Sequence, residues 1–381
     1  MKQNLGLVLT GGGARGAYQA GAIRALSEIF HGSDSPFSIF SGVSAGSINA
    51  TYMAAQARHF KKGAEGLSDL WSKLESRDVF LSDGLTLTRT GLAWLSDLGF
   101  GGWTGGGKGQ SLLKTEPLAK LLDSEISYTQ IDENIKTGHV RGVAVTATNY
   151  YSGTSVTFYD GNSEIEPWIR STRMAVRAKL DAEHVMASSA IPVFFPAIKI
   201  NGAYYGDGCV RMTTPLSPAI HLGSDKIIAI GVRAERSPQR VADLNSFQSA
   251  RYPYLAEVAG VLLNAMFLDA LDGDVERMER INSTLELIPE EKRALHPSKL
   301  RKVPVFVIKP SMDLGSLVTE VMSDFPLAVR HFMKGLGVSS DRGMDLLSYL
   351  AFDSAYTSVL VKLGYEDTLR AKSSILKFVE T

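Results

Sequence analysis

Leu5-Gly6-Leu7-Val8-Leu9-Thr10-Gly11-Gly12-Gly13-Ala14-Arg15-Gly16 is an apolar run that stops at a hydroxyl and a cluster of glycines. Across 18–30, Ile23, Leu26 and Phe30 recur at helical spacing, so the stretch reads as strand, tight turn, helix. The same grammar then repeats. Residues 37–40 are short and apolar, 41–46 are small and glycine-rich, and 48–57 favour helix. Two such units in succession predict a parallel sheet, because parallel neighbours need a crossover segment between them.

The surrounding composition agrees with an α/β protein. The 381 residues are 44% hydrophobic, which supplies a substantial core and argues against disorder. Forty Lys plus Arg balance 40 Asp plus Glu, so no whole-molecule field draws the chain to nucleic acid, and nucleic acid is not an expected partner. A lone Cys209 excludes an internal disulfide and multi-cysteine zinc or iron-sulfur sites, and it agrees with a reducing compartment. The apolar stretch 5–9 is too short for a signal-peptide core. The most apolar window, 258–271, is interrupted by Asn264 and Asp269 and falls short of the roughly 20 residues that span a bilayer. The expectation is a cytoplasmic protein, peripheral to a membrane where it meets one.

Farther along, 99–109 is dominated by glycines around Phe100 and Trp103 and reads as a mobile loop, a lid candidate. Residues 143–148 and 155–159 read as a hairpin, and 191–200 and 226–232 as strands, the latter apolar enough to be buried on both faces. The sheet is therefore expected to be mixed. Beyond Arg236 the texture turns helical over 254–280, 314–334 and 344–363, with 303–308 as a single strand. No internal repeat is visible. The expected organisation is a core over 1–235 and a mainly helical extension over 236–381 packed on it.

Three motifs carry chemistry. In Gly11-Gly12-Gly13-Ala14-Arg15-Gly16 a strand enters a helix through a turn whose amides face an anion or simply make a sharp bend. A dinucleotide site wants an acid after the next strand, but Asp34 precedes it, and a Walker loop fails because Ala17 follows Gly16. Gly42-Val43-Ser44-Ala45-Gly46 lies between a short strand and a helix, the setting of a nucleophile elbow or of an ordinary small-residue turn. None of His59, His139, His184, His221, His296 or His331 stands in a marked context that would pair it with Ser44. Tyr204-Tyr205-Gly206-Asp207-Gly208 places a carboxylate between glycines, although Asp-Gly is also a common turn. Asp269, Asp272 and Asp274 lack the calcium-loop pattern and read as an acidic face, so no metal is expected.

The order of these motifs is similar to that of the patatin-like phospholipases, serine lipid acyl hydrolases with a Ser-Asp dyad. Ala187-Ser188-Ser189-Ala190-Ile191-Pro192 with Phe195-Pro196, and Thr214-Pro215-Leu216 with Ala219-Ile220, resemble the family's segments around the aspartate. Cys209 departs from the glycine or alanine usual after Asp-Gly. The resemblance implies a three-layer α/β core with a central, mostly parallel sheet and a C-terminal helical extension. It also implies Ser44 as nucleophile and Asp207 as base, an oxyanion hole from Gly11, Gly12, Gly13, Ala14, Arg15 and Gly16, an elbow relieved by Gly42 and Gly46, and no cofactor. Arg15 either orients the loop or is a salt-bridged residue at a helix start. A carboxylate of ordinary pKa, about 3.9, is a weak base toward an alcohol, so such a dyad needs close placement and desolvation. The implied substrates are phospholipid, lysophospholipid or simpler esters, met in transient contact with a membrane surface. An acyltransferase using the same dyad, a non-catalytic dinucleotide-binding module and a membrane scaffold with a vestigial site are the competing readings.

Overall fold

The computed structural model describes residues 3–81, 111–235, 255–294, 300–321 and 344–380, with isolated positions 239, 242, 243, 246, 252 and 330. The glycine-rich stretch 99–109 expected to form a lid lies outside the described residues. Nine strands form one sheet: β1 (Leu5–Leu9), β2 (Phe37–Val43), β3 (Gly142–Asn149), β4 (Ser155–Gly161), β5 (Arg173–Arg177), β6 (Ile198–Ile200), β7 (Ala203–Asp207), β8 (Lys226–Ile230) and β9 (Val305–Ile308). The order is β5-β4-β3-β2-β1-β8-β9, and β7 pairs with β3 and β6. The centre, β3-β2-β1-β8-β9, is parallel throughout, while β3 meets both β4 and β7 antiparallel.

Alternation along the strands divides the interior into two cores, which makes the fold three-layered. Leu7, Leu9, Ile228 and Ile230 pack into the larger core with Ile23, Leu26, Phe60 and Leu360. Val8, Ile39, Ile227 and Ala229 face the other way, onto Leu216, Leu222, Leu271 and Met278. Both central strands β1 and β8 are buried along their whole length, as expected for parallel strands covered on both faces.

Several expected elements are shorter than their apolar patterns. The stretch 191–200 is a strand only over Ile198–Ile200, because Pro192 and Pro196 cannot donate to a ladder and Val193 sits at φ 72°. The helical texture of 254–280 resolves into Leu255–Phe267 and Asp269–Glu286. That of 344–363 breaks at Ala351 to Asp353, where the Asp353 side chain caps Ser354–Arg370. The 314–334 texture is a helix over Leu314–Val321, with 322–329 and 331–334 outside the described set.

Segments beyond residue 235 are woven into this architecture. Strand β9 lies beside β8, and helix Ser354–Arg370 packs along helix Gly16–Ile29. These two helices approach so closely that a β-carbon on Gly21 would overlap the Val361 carbonyl, and one on Gly364 the Tyr18 carbonyl. Alanine is the better helix former by about 1 kcal/mol, but backbone atoms cannot yield as a flexible side chain does. The steric effect therefore wins. Gly364→Ala is expected to destabilise the protein by about 1–3 kcal/mol and to lower the midpoint of a thermal or urea melt; an unchanged midpoint would contradict the close crossing.

Candidate active site

Strands β1 and β2 run parallel, so the turns after both emerge at the same sheet edge. After β1 the chain passes through Thr10 and the glycines into a single 3-10 turn, Gly13–Arg15, before helix Gly16–Ile29. After β2 it reaches Ser44, which stands at φ 54°, ψ −132° and starts helix Ala45–Ala55. A non-glycine residue in that region is strained by about 1–3 kcal/mol and holds its side chain out of the turn, the geometry of a nucleophile elbow. The flanking glycines are explained by space: a β-carbon on Gly42 would overlap the Gly46 carbonyl, and one on Gly46 the Leu9 carbonyl.

Strand β7 delivers Asp207 to the same place because it runs antiparallel to β3, with Asp207 opposite Ala147. The Ser44 hydroxyl donates to Asp207 Oδ2 at 2.6 Å, and the Cys209 amide donates to Asp207 Oδ1 at 2.9 Å. Both side chains are buried. Burial pushes the Asp207 carboxyl up to about 7, against the opposing pull of its hydrogen bonds from Ser44 and Cys209. The Cys209 thiol is itself driven well above its usual range by burial, with the Asp207 charge adding to the effect and the Gly11 amide opposing it.

The glycine turn lies against this pair. A β-carbon on Gly11 would lie 2.9 Å from Ser44 Cβ, and Gly13, at φ 55°, backs onto the Tyr349 carbonyl. Its base is tied down by a buried polar chain. Gln19 donates to the Thr10 carbonyl at 2.8 Å and accepts from Asn49 at 3.0 Å, while Asn49 also donates to the Gly16 carbonyl at 3.1 Å. Trp71 donates to Asn49 at 2.7 Å and forms part of a cleft wall. That cleft, about 600 Å³ counting the open solvent within its outline, is overwhelmingly apolar, and both Ser44 and Gly13 line it. Leu70, Leu118, Leu122 and Ile191 are among its lining residues.

Sequence reasoning left Ser188 without a role. Its hydroxyl accepts from the Ser44 amide at 2.9 Å and donates to the Thr146 carbonyl at 2.6 Å, pinning the elbow to β3. The run Ala187-Ser188-Ser189-Ala190 was the available signal, but nothing in its spacing shows which hydroxyl turns toward the elbow. Arg15 is buried with its guanidinium bonded to Ser348 and Asp345. Ala14 and Gly16 are buried in the same turn.

The competing chemistries find other partners. His139 lies 3.8 Å from Asp34, His184 bonds Asp181 at 2.6 Å, and His221 stacks on Trp168 with centroids 4.4 Å apart. His296 and His331 lie outside the described residues. Asp34 precedes β2 and so sits at the sheet edge opposite the glycine turn, where it cannot meet a ribose bound at that turn. Asp269 pairs with Arg233, Asp272 with Lys309 at 2.8 Å, and Asp274 accepts from the Leu216 amide at 3.0 Å. Among the described residues no cluster of three metal-ligating side chains occurs, and no helix is long and apolar enough to cross a membrane.

The model of one protein family, patatin-like phospholipase, matches residues 7–220. No curated protein sequence matches. Among solved structures, the chain is similar to VipD from Legionella pneumophila, at 15% identity and TM-score 0.35, over 98% of this chain and 67% of that one. It is similar to the human GIVD cytosolic phospholipase A2, solved with methyl gamma-linolenyl fluorophosphonate, at 12% identity and TM-score 0.42, over 99% of this chain and 59% of that one. A third similarity is to the ExoU-SpcU complex of Pseudomonas aeruginosa, at 13% identity and TM-score 0.27, over 98% of this chain and 76% of that one.

Proposed function

The chain belongs to the patatin-like phospholipase family, whose membership supports lipid-hydrolysing activity, and from that premise we propose that it cleaves carboxylic esters of lipids through an acyl-enzyme on Ser44. The observation that carries the reading is the 2.6 Å hydrogen bond from Ser44, which lines an apolar cleft, to a buried Asp207. Ser44 Oγ attacks the ester carbonyl carbon as Asp207 takes the hydroxyl proton, and the carbonyl oxygen becomes an oxyanion. The Gly11 amide faces the Cys209 thiol and the Arg15 and Gly16 amides donate within the turn, so the amides of Gly12, Gly13 and Ala14 are the ones that stabilise that charge, each donor worth on the order of 3 kcal/mol. The tetrahedral adduct collapses, and the alcohol leaves with the proton held by Asp207. Water then attacks the acyl-enzyme, Asp207 accepts its proton, and collapse returns Ser44 with a free fatty acid. The acyl chain occupies the cleft along Leu70, Leu118 and Leu122, whose burial of methylenes contributes about 0.8 kcal/mol each.

Phospholipids and lysophospholipids are the substrates this reading assigns, and reaching them in a bilayer calls for transient contact with the membrane surface. A lipid panel scored for fatty acid release tests the activity. In parallel, incubation with an alkyl fluorophosphonate is expected to add one phosphonyl group per chain, located at Ser44 by peptide mass spectrometry. No fatty acid from any ester, or an adduct elsewhere, would count against the proposal.

A further inference from the structure

Arg15 lies in the glycine turn, yet among the described residues the hydrogen-bond partners of its guanidinium come from helix Met344–Leu350, outside the matched 7–220 segment. Its Nε and Nη2 donate to Ser348 Oγ at 2.9 and 2.6 Å, and Nη2 donates to Asp345 Oδ1 at 2.9 Å. Ser348 is fixed in turn by donating to the Asp345 carbonyl at 2.6 Å. The guanidinium carbon lies 4.3 Å from the Tyr349 ring centroid, and Tyr349 is anchored by its hydroxyl to Asn264 at 2.6 Å. The Tyr349 ring packs on Phe267 at 5.1 Å, and Phe267 reaches the Gly11 side of the turn. The Tyr349 carbonyl fills the space beside Gly13. One helix therefore touches the turn at Gly13 and Arg15 directly and at Gly11 through Phe267.

We infer that Arg15, held by Asp345 and Ser348, is a positioning residue that sets the glycine turn against Ser44, so that a helix from the C-terminal part of the chain completes the catalytic machinery. The inference rests on the proposed hydrolase reading for its kinetic consequence only. A buried guanidinium is costly unless paired, and an ion pair of this kind contributes more to defining one geometry than to net stability. The guanidinium is not free to serve as an anion clamp in this arrangement. Its charge is met by Asp345, and Gly315 packs between that carboxylate, the guanidinium and Asp313.

The test compares the full-length wild type with Asp345→Asn, Asp345→Ala and Ser348→Ala, with Leu222→Ala, in the core on the other face of the sheet, as a destabilised control away from the site. On a soluble p-nitrophenyl ester, Asp345→Ala and Ser348→Ala are expected to lose 10- to 100-fold in kcat, with KM and the pH midpoint unchanged. Asp345→Asn, which keeps an oxygen acceptor, should recover part of the loss. Amide hydrogen exchange over 11–16 should accelerate in Asp345→Ala and Ser348→Ala and not in Leu222→Ala. Unchanged exchange, a kcat within twofold of wild type, or an equal kcat loss in Leu222→Ala would overturn the inference. Should Asp345→Ala fail to fold, Ser348→Ala and Asp345→Asn carry the same comparison. A wild type that turns over no ester would reject the hydrolase reading, and the exchange measurement alone would then decide whether the clamp exists.

Discussion

Ser44→Ala is expected to lower kcat for ester hydrolysis by about 10⁴-fold or more while the protein stays folded, measured as fatty acid release beside a thermal melt. The size follows from what one oxygen does. It supplies the bonding electron pair of the acyl-enzyme, and the Cys209 side chain, which also hydrogen-bonds Asp207, does not replace it. The Cys209 thiol is buried and pushed well above its usual pKa, so it is a poor substitute nucleophile. Whatever rate remains comes from Asp207 directing water at an ester polarised by the glycine turn. Stability should change little, because alanine inherits the same strained backbone at φ 54°. Ser44→Gly sharpens the point: glycine adopts that conformation without strain, so it should be equally inactive yet more stable than Ser44→Ala by about 1–2 kcal/mol. Activity in Ser44→Ala within tenfold of wild type would remove the nucleophile assignment.

Much of this site was legible in the sequence because its parts are local. An apolar run ending in glycines announces a strand entering a helix, and Gly42 and Gly46 are spaced by the steric demands of the turn at Ser44. What was not legible depends on distant residues meeting. Asp207 reaches Ser44 through antiparallel pairing of β7 with β3, a register that Asp-Gly alone does not encode. Arg15 and Asp345 are 330 positions apart, and nothing about an isolated Asp near Ser348 marks it as the counter-ion of a buried arginine. Strand β9 and helix Ser354–Arg370 look like parts of an appended helical region when read along the chain, but β9 extends the central sheet and the helix packs along Gly16–Ile29. Periodicity reports that a helix has an apolar face and is silent on which element that face meets. The prolines at 192 and 196 did carry the information that shortened β6, and an apolar run obscured it.

Asp207→Asn is expected to lower kcat by about 10³-fold or more and, at the same time, to stabilise the protein at pH 8. Asparagine keeps the shape and an acceptor for Ser44 or the Cys209 amide, but it takes no proton from the hydroxyl. The stability gain follows from the sign of the pKa shift. Burial first, outweighing the hydrogen bonds from Ser44 and Cys209, raises the folded-state value of Asp207 from 3.8 to about 7. The native state therefore holds a proton that the unfolded chain has released over that interval, and stability falls as pH rises from about 4 to about 7 and then levels off. A shift of this size corresponds to a few kcal/mol at most. A neutral asparagine escapes the loss, so the difference in melting temperature between Asp207→Asn and wild type should widen across that window and stay constant above it. Catalysis moves oppositely in the wild type: kcat/KM should climb as pH passes through about 7, because only the ionised carboxylate accepts the Ser44 proton. The pH at which stability levels off coincides with the midpoint of the rate rise if a single buried carboxyl is both the base and a source of instability. A wild-type rate that stays flat between pH 5 and 9, or a melting difference that does not vary with pH, would separate those roles and remove Asp207 as the base.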